Sequence, residues 1–183
     1  MSNLLRYTLT LLILNFFFTN SSFAAITNLN SPLDTTTQNN TPTGIYFNND
    51  GSKVFVLGSQ GPGDSLAEYS LGTEYDVSTA SASIENLELN AEGSVISSGD
   101  PFGLTFNDDG SKVYIADGGD HRVREITLGS NFDLTSSATH SGTLATNITN
   151  GSGTPCGLTF NNDGSKLFLA GFAQQRILYW PLG

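Results

Sequence analysis

A single cysteine, Cys156, stands in a chain of 183 residues, so no intrachain disulfide can form and stability must come from packing. The chain is short of positive charge, with seven Lys and Arg against seventeen Asp and Glu. It has two histidines, His121 and His140, and neither sits in a triad or zinc-ligand pattern. No Gly-x-Ser-x-Gly elbow is present, so acyl transfer by a serine nucleophile has no sequence support. Beyond the first 24 residues no stretch repeats apolar residues at i, i+3, i+4 and i+7 over three turns, which excludes a helical core. Each absence removes a class: disulfide scaffolds, helix bundles and serine hydrolases.

What is present is Gly, Ser, Thr and Asn in abundance, with Val, Ile, Tyr and Phe in short runs. That mix favours short strands joined by many turns. The chain is long enough for one domain with a real core. Residues 1–24 read as a secretory leader. Arg6 gives a weakly basic start, residues 9–18 are apolar but for Thr10 and Asn15, and Ser22 and Ala24 suit a cut after Ala24. An apolar run this short spans a bilayer poorly, which disfavours an uncleaved anchor. The expected location is therefore secreted, periplasmic or at the cell surface. Cleavage removes Arg6 and takes the formal charge from −10 to −11. So acidic a surface repels phosphate backbones and anionic lipid headgroups, which argues against nucleic acid and against membrane binding once the leader is gone. Cationic partners, metal ions, neutral glycans and proteins stay open.

The strongest signal is internal repetition. Three phrases align: Pro42-Thr-Gly-Ile-Tyr-Phe-Asn-Asn-Asp-Gly-Ser-Lys-Val-Phe-Val, Pro101-Phe-Gly-Leu-Thr-Phe-Asn-Asp-Asp-Gly-Ser-Lys-Val-Tyr-Ile, and Pro155-Cys-Gly-Leu-Thr-Phe-Asn-Asn-Asp-Gly-Ser-Lys-Leu-Phe-Leu. The spacings, 59 and 54 residues, are those of propellers and related arrays. Each unit predicts a first strand (44–47, 103–106, 157–160), a tight Asn-Asx-Asp-Gly-Ser hairpin, and a second strand from Lys53, Lys112 or Lys166. In the first unit Val54 and Val56 form one face of that strand, Phe55 and Leu57 the other. A strand apolar on both faces belongs between two packed layers. A third strand (66–71, 122–128, 176–182) and a less regular fourth (83–97, 139–147) complete a four-stranded antiparallel unit, the plan of a propeller blade. A second phrase, Gly72-Thr-Glu-Tyr-Asp-Val-Ser-Thr, returns as Gly129-Ser-Asn-Phe-Asp-Leu-Thr-Ser.

Residues 101–128 resemble an NHL-type blade, with Pro-x-Gly-Leu, an Asp-Gly hairpin, Val-Tyr-Ile-Ala-Asp117 and His121-Arg122-Val123. The other units are similar to the broader lactonase or YVTN-like repeats. They depart from the pattern at the position of Asp117, carrying Gly58 and Gly171. The resemblance implies an all-β propeller of three four-stranded units, partial or incomplete: 42–100, 101–154 and 155–183, the last with three strands, after an N-terminal segment 25–41 that is a partial blade or closing strand. Three units are fewer than the usual four to eight. A longer parent chain, a homodimer, or an open array with residues 26–29 on the exposed blade would each answer that.

One cluster is rich in ligand-type residues: Asp100, Asp117, Asp120, His121 and Arg122, on a blade entry and the loop between second and third strands. Asp117 and Asp120 are the candidate metal ligands, with Ca²⁺ the ion such oxygens suit. The competing reading makes them turn scaffolding, with Arg122 paired to a neighbouring carboxylate. The Asn-Asx-Asp-Gly-Ser turns are similar to the start of a Ca²⁺ loop but lack its later spacing and terminal Glu. Cys156 reads as a small buried apolar side chain rather than a reactive thiol. Asn39, Asn147 and Asn150 head glycosylation sequons, of consequence only in a eukaryotic host. No catalytic residue is assigned. The sequence predicts an exported recognition scaffold for a protein or glycan. The alternatives are a hydrolase of lactonase type, on resemblance alone, and a structural segment of a larger surface protein.

Overall fold

The computed structural model describes residues 32–39, 41–59, 64–81, 85–89, 100–145, 154–171 and 175–182. The leader, the two later sequons and most of the first unit's expected fourth strand lie outside them. The described chain is all-β apart from a single short 3₁₀ turn, Val77–Thr79, capped by Asp76. Three antiparallel sheets follow one another: β1 (Thr41–Phe47), β2 (Lys53–Ser59), β3 (Ser65–Ser70) and β4 (Glu85–Glu88); β5 (Pro101–Phe106), β6 (Lys112–Asp117), β7 (Arg122–Ser130) and β8 (Asp133–Ala145); β9 (Pro155–Phe160), β10 (Lys166–Gly171) and β11 (Arg176–Pro181). Within each sheet the strands pair in chain order. These are propeller blades, numbered 1 to 3 below.

The hairpins form for local reasons. In blade 1 the Asn48 Oδ1 accepts from the Lys53 amide at 2.9 Å, and the Asp50 carboxylate accepts from the Ser52 amide and hydroxyl. Gly51 takes φ +72, the left-handed conformation that costs glycine least. Asn107, Asp109 and Gly110 repeat this arrangement in blade 2, as do Asn161, Asp163 and Gly164 in blade 3. The serine side-chain and backbone hydrogen bonds hold the carboxyls of Asp50, Asp109 and Asp163 below the ordinary carboxylate value.

Each blade has two faces. The face with Ile45, Phe47, Val54, Val56 and Tyr69 in blade 1 is here called proximal, and the one with Tyr46, Phe55, Leu57 and Leu66 distal; the strand registers fix the equivalent positions in blades 2 and 3. The distal face of blade 1 meets the proximal face of blade 2 in the largest core, where Phe55, Leu57 and Leu66 pack with Leu104, Phe106, Val113, Ile115 and Ile126. Four rings, Tyr46, Phe55, Phe106 and Phe132, form its centre, with Phe55 and Phe106 centroids 4.6 Å apart. The distal face of blade 2 (Tyr114, Ala116, Val123) packs in turn on Leu158, Phe160, Leu167, Leu169 and Trp180 of blade 3. The second strands of blades 1 and 2 are thus buried on both faces, as their apolar alternation requires. In blade 3 only the proximal face is covered, and Phe168 is half-buried.

The blades approach most closely along their first strands. A Cβ on Gly103 would lie 2.5 Å from the Cys156 carbonyl oxygen, and one on Gly44 3.2 Å from Leu104 Cβ. Glycine in the Pro-x-Gly phrase is therefore what lets one blade seat on the next. The Thr43 hydroxyl donates to the Pro101 carbonyl at 2.6 Å across the same boundary.

Two expectations need correcting. Strand β8 begins at Asp133, before the expected 139, because the chain turns back at Asn131–Phe132 and pairs Ser130 with Asp133. Cys156 is half-buried, its thiol donating to the Thr154 carbonyl at 3.4 Å.

Candidate functional site

The five sequence-designated residues lie at the end of β6, in the β6–β7 turn, at the start of β7 and at the entry to β5. Asp117 closes β6 and is fully buried. Its register partner is Arg122, yet the cation it pairs with is Arg124. The Arg124 Nε and Nη2 donate to Asp117 Oδ2 at 3.2 and 3.1 Å, and Nη2 also reaches Asp120 Oδ2. The Asp120 amide donates to Asp117 Oδ1 at 3.1 Å. One guanidinium thus bridges both candidate carboxylates, and a buried carboxylate so engaged stays compensated. Arg122 stands on the same face of β7, two residues before Arg124, but at the strand's start, where its side chain is exposed. The expected arginine–carboxylate contact exists, but on the arginine two residues further along.

The others sit on the rim. Asp100 has an exposed side chain, while its carbonyl accepts from the Gly118 amide at 2.8 Å and so ties the blade entry to the loop. His121 is half-exposed at φ +54, and Gln175 takes φ +52 at the equivalent place in blade 3. The left-handed residue before the third strand is thus part of the repeat. Among the described residues no three His, Cys, Asp or Glu side chains converge as metal ligands do.

Blade 1 builds the same place differently. Gly58 stands where Asp117 does, and the space is filled by the Asn39 carboxamide, which donates to the Val56 carbonyl at 3.2 Å and accepts from the Ser65 hydroxyl at 2.5 Å. Asn39 is 2 % exposed, so its sequon is closed in the folded chain.

A second charged group, which sequence reasoning missed, crosses from blade 1 to blade 2. The Lys53 Nζ pairs with the buried Glu68 at 2.6 Å and donates to the Phe132 carbonyl at 2.8 Å; the Leu134 amide donates to Glu68 Oε2 at 2.8 Å. The pair grips the backbone of the repeated Gly-Ser-Asn-Phe-Asp-Leu phrase. Its signal was available, since Lys112 and Glu125 hold the same positions in blade 2 and also pair, at 2.9 Å. Burial raises the Glu125 carboxyl, but hydrogen bonds from Lys112, Ser141 and Tyr114 outweigh it and hold the group below its ordinary value.

No protein-family model matches the chain, and no curated protein matches it in sequence. Solved structures do. A candidate 6-phosphogluconolactonase from Bacteroides fragilis superposes with a TM-score of 0.55 at 11 % identity, over 78 % of this chain and 38 % of its own. A second candidate 6-phosphogluconolactonase, from Bacteroides uniformis, gives 0.52 at 15 %, over 80 % and 40 %. The β-propeller domain of Cps50 (Swd1) from Myceliophteria thermophila gives 0.53 at 12 %, over 76 % and 39 %. The fold is therefore that of β-propeller blades, and the chain spans about two-fifths of the length of these structures.

Proposed function

We propose that the chain is an exported recognition module that presents the rim of its β6–β7 loop to a neutral or cationic partner, a glycan or a basic protein segment. The observation that carries this is the state of the acids. Asp117 and Asp120 are spent on Arg124, which makes them a rigid support, while Asp100, His121 and Arg122 stand around them with accessible side chains. A rim of mixed polar groups on a fixed scaffold suits binding. The acidic balance of the chain selects against polyanions. Export rests on the leader-like residues 1–24, and among the described residues no helix is long and apolar enough to cross a membrane.

The second reading is a hydrolase of sugar lactones, favoured by the names of two structures that share the fold. One set of measurements separates the two. The labelled chain is screened on a glycan and peptide array, titrated with Ca²⁺, Mg²⁺ and Zn²⁺ in a calorimeter, and assayed on sugar lactones. Recognition predicts an array ligand whose binding falls in the double variant Asp100→Ala, Arg122→Ala while the melting temperature is unchanged. Lactone turnover that Asp120→Asn abolishes would establish the hydrolase instead.

A further inference from the structure

We infer that the hairpin end of the blade 2–blade 3 boundary is a docking socket for a polypeptide segment of the form aromatic–Asp–aliphatic, presented by a partner. The chain shows twice over what such a segment does. In blade 1 the Tyr75 amide donates to the Gly51 carbonyl at 2.9 Å, and the Tyr75 ring lies over that glycine, 5.5 Å from the Phe47 ring. In blade 2 the Phe132 amide donates to the Gly110 carbonyl at 2.9 Å, and the ring covers Gly110, 5.3 Å from Phe106. Both aromatic residues are left-handed, with φ +59 and +52. The next residue, Asp76 or Asp133, accepts from the amide and hydroxyl of the residue two further on, which fixes the turn. An aliphatic residue follows, Val77 or Leu134.

Blade 3 carries the receiving groups and, among the described residues, no such segment. Gly164 has φ +68 like its counterparts, but it is half-buried where they are buried, and its Cβ position faces only Asp108. Phe160 stands where Phe106 does and is half-buried where Phe106 is closed off. The Tyr114 ring of blade 2 meets it edge-on at 5.1 Å, in the place of Phe55. Lys112 and Glu125 hold the positions of Lys53 and Glu68, the pair that grips the Phe132 carbonyl and the Leu134 amide. Their side chains are 39 % and 20 % exposed, against 26 % and 1 % for Lys53 and Glu68. The third socket thus offers a glycine carbonyl, an aromatic floor and a donor–acceptor pair, in the arrangement that the filled blade 1–blade 2 socket uses. Ser141 and Tyr114 also bond Glu125, and a carboxylate with about four acceptor positions has room for one amide more. Lys112 opens β6 and Asp117 closes it, so this socket lies at the other end of the strand from the rim proposed above for recognition.

The probe is a synthetic peptide with the sequence of residues 129–136, Gly-Ser-Asn-Phe-Asp-Leu-Thr-Ser, titrated into the ¹⁵N-labelled exported full chain and followed by NMR. Saturable shifts are expected at the amides of Phe160, Gly164 and Lys112, with those of Asp117–Arg122 unmoved. The Phe132→Ala form of the peptide should bind about tenfold more weakly or not at all. Gly164→Ala in the chain places a methyl group where the ring would lie, and Glu125→Ala removes the acceptor; each should weaken binding about tenfold or more. Circular dichroism should show both variants folded, and the peptide variant tests the ring without altering the chain. Four results would overturn the inference: no saturable shift with the parent peptide, equal binding of its Phe132→Ala form, binding indifferent to Gly164→Ala, or shifts confined to the rim.

Discussion

At the scale of single residues, the three hairpin glycines share a conformation but differ in surroundings. Gly51, Gly110 and Gly164 have φ of +72, +73 and +68. The Tyr75 ring covers Gly51 and the Phe132 ring covers Gly110, each held there because its own amide donates to the glycine carbonyl at 2.9 Å. Gly164 faces only the Asp108 carboxylate, 3.4 Å from where a Cβ would stand. An alanine at Gly164 therefore meets only the backbone cost of a left-handed L-residue, about 1–2 kcal/mol. An alanine at Gly110 adds a steric clash with a ring packed in the blade 1–blade 2 core, about 1–3 kcal/mol more. Urea denaturation is expected to place Gly164→Ala below wild type in stability and Gly110→Ala well below both. Equal losses would show that the ring moves aside freely.

At the scale of the strand and its partner, the Lys53–Glu68 pair behaves as a clamp between sheets. Glu68→Ala leaves the buried Leu134 amide without its acceptor and takes the counter-ion from Lys53, which keeps the Phe132 carbonyl, a loss of about 2–3 kcal/mol. Glu125→Ala removes the matching carboxylate where it is more solvated, and should cost about 1 kcal/mol or less. Thermal melts of the two variants give the comparison. If Glu125→Ala is the more damaging, the backbone grip is not what makes Glu68 matter. This element also shows what could be read from sequence. The hairpins were legible because Asn, Asp, Gly and Ser act on backbone within five residues of themselves. The two-faced second strands were legible because alternation is a local pattern. Arg124 was missed in favour of Arg122 because both stand on one face of β7, and the one that reaches Asp117 is the diagonal neighbour rather than the direct register partner, a choice that nothing local in the sequence makes. Asn39 was not legible at all as the group filling the space at Gly58, since nothing near either residue in sequence relates them.

At the scale of the molecule, the repeats are alike in sequence and unlike in burial, and stability should follow burial. Strand β6 is covered on both faces, by blade 1 through Val113 and Ile115 and by blade 3 through Tyr114 and Ala116. Strand β10 has the same pattern, but only Leu167 and Leu169 are covered, while Ala170 is exposed. In stacked repeats each unit draws its stability from its neighbours, so an end unit opens at lower cost than a middle one. Hydrogen exchange should therefore find the amides of Val113–Ala116 slowest and those of Leu167–Ala170 faster. Protection of β10 equal to that of β6 in a single chain would mean that neighbouring blades do not set local stability here.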